Sequence, residues 1–380
     1  MPGGYMGKIL RVDLTTREIR EEMLEEKTLR QFLGGYGLGS RLLYNEQKPG
    51  VDALGPDNIL GFISHPLSGT QAIAGCRFTV VAKSPLTGTW GDANCGGSFA
   101  AFLKYSGYDG VMFKGISDRP VYLVINNGRA QLNDAGHLWG KDTYDTDDIL
   151  KAELGQDTAV ACIGQAGEKL SLVSCIMHNK GSAAGRSGLG AVMGSKKLKA
   201  VAVKGKMAVP VPDAAAVKKL RSYYLPRLGG HLQVVRKYGT TFTLVPSAES
   251  GDSPVLNWSG IANRDFKNAR TLSEVLLDER KYKPAACYQC PVGCEAVLKE
   301  GTGEYRYAAG SFRPEYETLA MLGPNCGNNN LESIIKANDQ CNRYGLDTIS
   351  TGAIIAFAME CYANGLVSKQ DTGGLDMKWG

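Results

Sequence analysis

Three cysteines within eight residues, Cys287-Tyr-Gln-Cys290-Pro-Val-Gly-Cys294, constrain this chain more than any other feature. The C-x2-C-x3-C spacing, with bends supplied by Pro291 and Gly293, lets three thiolates converge on one compact inorganic centre. A [4Fe–4S] cluster takes four cysteine thiolates, three commonly clustered and one remote. A zinc site would want a second close pair of Cys or His, and none follows. Zinc and buried structural thiols stand as the alternatives. The spacing predicts Cys287, Cys290 and Cys294 as metal ligands and electron transfer as the working function.

A chain of 380 residues is long enough for two or three domains, and 43% hydrophobic with 21% charged residues is an ordinary globular balance. A net charge of +5 is small for this length and implies no nucleic-acid partner. The ten cysteines are scattered through apolar or Gly-rich segments, which together with the lack of a secretory signal predicts reduced thiols in the cytoplasm. The most apolar helical stretch, Thr351 to Tyr362, is too short to span a bilayer and carries Glu360, so no membrane segment is expected.

Forty-eight glycines cluster at Gly34–Gly39, Gly88–Gly97 and Gly181–Gly194. Glycine weakens regular elements and serves where backbone must approach a ligand, so the clusters predict a large ligand touched by several loops. The pattern is β-rich to about residue 208. Strands are expected at Lys8–Leu14 and just after Thr16, at Asn58–Ile63, Arg77–Ala82, Gly110–Lys114, Thr158–Ile163 and Ala200–Lys204. A hairpin is expected over Val121–Leu132 and a helix over Asp145–Leu154. After the stiff Pro210-Val-Pro212, helical periodicity takes over at Asp213–Tyr224, Leu272–Tyr282, Glu315–Leu322, Leu331–Tyr344 and Thr348–Ala363. The fold class is therefore α+β, with a β-rich cofactor-binding domain over 1–208 and a helical domain over 209–380. With no closing element at Met377–Gly380, the chain reads as the front portion of a longer protein.

Two of the Gly-rich loops carry arginines: Gly75-Cys-Arg77 with Thr87–Ser98, and Gly181–Lys197 with Arg186. Exposed N–H groups of such turns ahead of a helix N-terminus make anion-binding concavities, and the guanidinium groups would grip phosphate bidentately. Plain tight turns with solvated arginines are the alternative. Neither a Walker loop nor a strand–GxGxxG–helix order is present, which argues against a nucleotide fold.

These loops, the cysteine motif, Arg313-Pro-Glu-Tyr-Glu317 and Tyr344-Gly-Leu-Asp347-Thr, taken together and in order from Gly7 to about Gly365, resemble the tungsten-containing aldehyde:ferredoxin oxidoreductases. The resemblance implies tungstopterin, a tungsten ion on two pterins, beside a [4Fe–4S] cluster that passes electrons to ferredoxin or a small iron–sulfur subunit. It implies an aldehyde substrate, leaves tungsten against molybdenum open, and leaves a homo- or hetero-oligomer open. Arg77, Asn94 and Gly96 look like the family's first pterin loop. Ala183, Gly185 and Arg186 look like its second, where Mg2+ joins the cofactor phosphates. Asn342, Gly345, Leu346 and Asp347 resemble its D-x-x-G-L-D motif, with Asn342 replacing the leading Asp, and Ser182 stands where an Arg is often found. Glu317, and after it Glu315, fall in the segment facing the metal, where an apolar pocket would raise a carboxyl pKa for proton handling. A solvated carboxylate at a helix start is the alternative. The family's fourth cluster cysteine and catalytic histidine would lie beyond residue 380, with Cys326, Cys341 and Cys361 as in-chain substitutes for the former. Rival readings are a molybdopterin oxidoreductase of the formate dehydrogenase or nitrate reductase type, whose motif sits near the N-terminus, and a non-catalytic electron-transfer or scaffold subunit.

Overall fold

Apolar residues at alternate or successive positions build two six-stranded sheets in the first part of the molecule. The structure is a computed structural model that describes residues 2–380. The first sheet contains β1 (Lys8–Asp13), β2 (Ile19–Met23), β3 (Leu60–Ser64), β4 (Phe78–Lys83), β5 (Trp90–Cys95) and β6 (Gly110–Lys114), in the order β2-β1-β6-β3-β4-β5. Only β1 and β6 pair in parallel. The second contains β7 (Val121–Asn126), β8 (Arg129–Asp134), β9 (Ala159–Cys162), β10 (Ile176–His178), β11 (Ser182–Ala184) and β12 (Leu198–Lys204), ordered β11-β10-β9-β12-β7-β8, with β12 and β7 parallel.

One core joins the sheets. Leu10, Phe62, Phe78 and Val80 of the first share it with Leu123, Ile176, Val201 and Val203 of the second. The helix Phe99–Tyr105 lies in the same core, its Phe99 ring 4.7 Å from Phe78. Phe62 sits at its centre against Phe78, Phe99 and Phe113. The outer face of the first sheet is covered by the helices Glu26–Phe32 and Gly35–Glu46, and that of the second by Thr143–Leu154, whose N-cap Asp142 accepts from the Asp145 N–H. Among the described residues each buried lysine is bonded to oxygen: Lys104 to the carbonyls of Gly4, His65 and Pro66, Lys196 to the Gly115 carbonyl, and Lys199 to Glu168 and the Lys141 carbonyl.

By chain contacts, the first unit comprises Met1–Arg227, Cys287–Pro291 and Asn342–Leu346, and the second comprises the remainder. In the second, Leu244, Leu272, Leu277, Leu319, Ile334 and Ile335 form a core among helices that include Tyr316–Leu322, Leu331–Tyr344 and Thr348–Ala363. The α+β order of a β-rich part followed by a helical part holds.

Three local expectations are corrected. The Gly34–Gly39 cluster is not a ligand loop. It opens the helix Gly35–Glu46, and a Cβ on Gly39 would stand 2.8 Å from Val81, so that glycine serves helix-on-sheet packing. The first arginine loop contains a regular strand, β5. The helix expected over Leu272–Tyr282 is confined to Glu274–Glu279, because Lys281 and Tyr282 enter an antiparallel hairpin of β13 (Lys281–Ala285) and β14 (Glu295–Leu298). Among the described residues no helix is long and apolar enough to cross a membrane.

Candidate functional site

The pairing of β4 with β5 sets Thr79 opposite Asn94, just beside Arg77. Arg77 is exposed, and its guanidinium donates to the Asn94 side-chain oxygen and, at 3.4 Å, to the Asn94 carbonyl. Asn94 in turn donates to Thr79 Oγ1 at 3.2 Å, while His65 Nε2 stands 3.1 Å from the same hydroxyl. Burial, with Lys104 and Arg77 adding to it, lowers the His65 pKa.

Beyond β5 the chain passes through Gly96 and Gly97, both buried. A Cβ on Gly96 would lie 2.6 Å from Cys287 Sγ, so only glycine lets that thiol approach the loop. Gly97 has φ +87°, and a Cβ there would lie 2.3 Å from the His178 ring. The Gly97 carbonyl accepts the Tyr288 N–H at 3.0 Å, tying the cysteine motif to the loop.

His178, from β10, fixes this corner. Its Nε2 accepts from the backbone N–H groups of Ser98 at 2.9 Å and Phe99 at 3.1 Å. That leaves Nδ1 to carry the proton and donate to the Val160 carbonyl at 2.7 Å. Complete burial holds the His178 pKa down to about 4. The first two N–H groups of the Phe99 helix are therefore spent on an imidazole. The expectation that this helix N-terminus would bind phosphate is corrected accordingly.

The second loop is a short hairpin. β10 pairs with β11 through Met177 and Ala183, and Asn179 and Lys180 turn the chain with φ of 49° and 66°. β11 lies beside β5, so Ala183 and Asn94 occupy neighbouring edges of the two sheets. Arg186 is exposed, and the following Ser187 is pinned through its hydroxyl to the Asp92 carbonyl at 3.1 Å. Gly185 faces open space: a Cβ there would meet only the Ala183 methyl, at 3.7 Å.

Asn342–Leu346 belongs to the first unit. Thr143 Oγ1 donates to the Asn342 carbonyl at 2.7 Å, the Cys175 N–H donates to the Gly345 carbonyl at 2.9 Å, and Leu346 bridges to Ser174. Gly345 adopts φ +73° against the Gly164 backbone, which a Cβ would strike at 2.9 Å. Asp347, in the second unit, caps the helix Thr348–Ala363 by accepting from the Ile349 N–H at 3.0 Å and the Ser350 hydroxyl at 2.6 Å.

Cys287, Cys290 and Cys294 are half-buried, whereas six of the other seven cysteines are buried. Among the described residues no three His, Cys, Asp or Glu side chains are gathered closely enough to hold a single metal ion. An all-thiolate donor set in a tight turn, with Gly96 leaving room at Cys287, suits an iron–sulfur cluster in kind and offers zinc no second pair. Open backbone at Gly185, beside the exposed Arg186, likewise suits an anionic cofactor. Cys326 and Cys341 are buried thiols whose pKa values burial pushes up to about 12 and about 11. Glu315 accepts from Thr240 Oγ1, and Glu317 is exposed in the first turn of Tyr316–Leu322.

Residues 9–205 match the model of the aldehyde ferredoxin oxidoreductase N-terminal domain, and residues 228–380 match that of domains 2 and 3 of the same proteins. The chain belongs to the aldehyde ferredoxin oxidoreductase family. It is 40% identical, over 99% of its length, to the tungsten-containing aldehyde ferredoxin oxidoreductase of Thermococcus kodakarensis, and it covers 62% of that protein. The enzyme of the same name from Pyrococcus furiosus is also 40% identical, with 99% of this chain and 62% of the relative covered. The chain thus spans about three-fifths of these relatives. Among solved structures, the active-site complex BamBC of benzoyl coenzyme A reductase with 1,5-dienoyl-CoA superposes with a TM-score of 0.87 at 28% identity, covering 99% of this chain and 58% of that one.

Within this family member, two residues escaped the sequence reading. His178 lies 80 residues from the backbone it holds, and an isolated histidine in an apolar strand carries no motif. Cys76 adjoins Arg77 and could have been marked by that position alone. Its thiol is buried, its pKa is pushed up to about 12 chiefly by burial, and it feels the charges of Cys287 and Cys290.

Proposed function

We propose that the protein of which this chain is part oxidises aldehydes to carboxylic acids at a tungsten bis-pterin site. Electrons would leave singly through a [4Fe–4S] cluster to ferredoxin or a small iron–sulfur subunit, in the cytoplasm. The observation that carries this reading is the junction at Gly96–Gly97, where the cysteine turn is bonded to the loop that follows β5, the strand whose Asn94 accepts from Arg77. An electron-relay motif is thereby held against a loop suited to an anionic cofactor.

In this reading Cys287, Cys290 and Cys294 are cluster thiolates. Arg77, Asn94 and Gly96 hold one pterin phosphate region. Ala183, Gly185 and Arg186 hold the other, with Mg2+ on hard oxygen donors. Asn342, Gly345, Leu346 and Asp347 present polar atoms to a pterin ring. The bound metal supplies the two-electron oxo chemistry. The chain's own work is to fix the cofactor by backbone N–H and guanidinium groups and to move a proton at Glu317 Oε, with Glu315 as second choice.

The test uses the full-length protein. Tungsten, pterin and iron are measured together with aldehyde-dependent reduction of benzyl viologen, in the wild type and in Cys290→Ala and Glu317→Gln. The expected result is aldehyde turnover in the metal-replete wild type, loss of iron in Cys290→Ala, and reduced turnover at normal metal content in Glu317→Gln. Molybdenum with a guanylated pterin, or no turnover of any aldehyde, would reject the reading.

A further inference from the structure

In the helix Ala214–Tyr224 no residue is buried, and Leu220, Tyr223 and Tyr224 are 56%, 51% and 51% exposed. Between Ala214 and Arg227 the chain carries Lys218, Lys219, Arg221 and Arg227 and no acidic residue. The Arg227 guanidinium stacks 3.6 Å from the Tyr223 ring, and Arg221 reaches the Gln71 carbonyl at 3.3 Å, which fixes the helix over the Gly69–Gln71 loop. Between this helix and that loop lies a cavity of about 350 Å³ lined by Gly69, Gln71, Tyr105, Val209, Val211 and Val217.

Tyr105 is the inner wall. Its hydroxyl donates to the Gly69 carbonyl at 3.0 Å, and its ring stands edge-on to Tyr288, with centroids 6.0 Å and hydroxyls 3.5 Å apart. Tyr288 adjoins Cys287 in the cysteine turn and is fixed by its N–H to Gly97. Two packed aromatic side chains therefore separate the cavity from the thiols.

We propose that this face is the docking surface for an acidic one-electron carrier of the small iron–sulfur protein type. The inference rests on the electron-relay reading of the cysteine motif and adds the place where the carrier binds. Exposed Leu and Tyr side chains supply the contact area, and the unbalanced lysines and arginines steer an acidic partner. A second copy of this net-positive chain presenting the same helix would meet like charge. Each transfer moves one electron from the reduced cluster to the oxidised carrier, and no bond or proton is exchanged. Two transfers complete one aldehyde oxidation.

The experiment measures binding of an acidic bacterial [4Fe–4S] ferredoxin to the full-length, metal-replete protein and to its Lys218→Glu/Lys219→Glu variant. Expected are wild-type binding that weakens as salt is raised, and at least tenfold weaker binding by the variant. Its melting temperature, iron content and benzyl viologen reduction should stay at wild-type values, since a small dye does not need the face. Equal affinity of the two proteins, or no binding by the wild type, overturns the proposal. So does a variant that loses iron, changes oligomeric state or loses viologen turnover, because the helix would then be covered by the protein itself. Salt-sensitive binding lost on charge reversal, in a wild type that oxidises no aldehyde, would keep the docking face and reject the aldehyde reading instead.

Discussion

Gly97 in the first unit is held by partners distant in sequence, the His178 ring on one side and the Tyr288 N–H on the other, while Asp347 in the second is held by Ile349 and Ser350, two and three residues on. Asp347 is among the residues proposed to hold the cofactor, and Gly97 adjoins another, Gly96. The first arrangement exists only once two sheets and the cysteine turn have come together. The second forms with its own helix. A substitution should propagate in the first case and stay local in the second.

The largest effect is expected at Gly97. Alanine there combines a left-handed φ of +87° with a Cβ 2.3 Å from a fully buried, fully bonded imidazole that has nowhere to move. Backbone strain and overpacking together should cost about 3 kcal/mol, read by denaturant unfolding of the full-length protein, with iron lost as the Tyr288 anchor loosens. Gly185→Ala is the control, since its methyl would meet only Ala183 at 3.7 Å. Equal losses at the two glycines would break the comparison.

His178 gives the next effect through pH. Its folded-state pKa, about 4, lies below that of a free histidine, about 6.5, so the native state keeps the ring neutral where the unfolded chain takes up a proton. Its stability contribution is complete above about pH 6.5 and is lost as pH falls toward 4, an amount on the order of 3 kcal/mol. Urea unfolding at pH 7.5 and 4.5 should show that decline, and His178→Gln should flatten it in this window. A wild-type curve no steeper than that of the variant would remove His178 from the account.

What was legible in the sequence follows the same division. Period-two alternation at Lys8–Asp13 and a Gly turn after Val121–Asn126 are local signals, and the strands formed there. The helices expected from Asp213 and from Thr348 formed, with Asp213 and Asp347 as their caps. The glycines at 34–39 misled, because glycine serves close helix packing as readily as ligand approach, and one sequence does not say which. His178 and Cys76 went unassigned for a related reason: what they touch is brought near only when residues distant in sequence come together, Ser98 and Phe99 for His178 and the cysteine turn for Cys76. Lys281 and Tyr282 continued a helical period but were taken by β14, a case of tertiary pairing overriding local propensity.

The smallest effect separates two roles for Asp347. As a cap it accepts from Ile349 N and Ser350 Oγ at the start of the helix Thr348–Ala363, and Asp347→Ala should cost about 1 kcal/mol. Asp347→Asn keeps an acceptor oxygen for the Ile349 N–H and should cost less, since asparagine caps nearly as well. The pair then reads function apart from structure. If Asp347 only caps the helix, pterin content of the full-length protein should be normal in Asp347→Asn. If its carboxylate also takes a charge-assisted hydrogen bond from a pterin nitrogen, Asp347→Asn should lose pterin while its unfolding curve overlays the wild type. Asn342 already carries an amide at the other end of the same motif, so a second amide at residue 347 would leave the motif without a carboxylate. Pterin loss without destabilisation would therefore set Asp347 apart from a simple cap and join it to the long-range group, and an unchanged pterin content would leave it local.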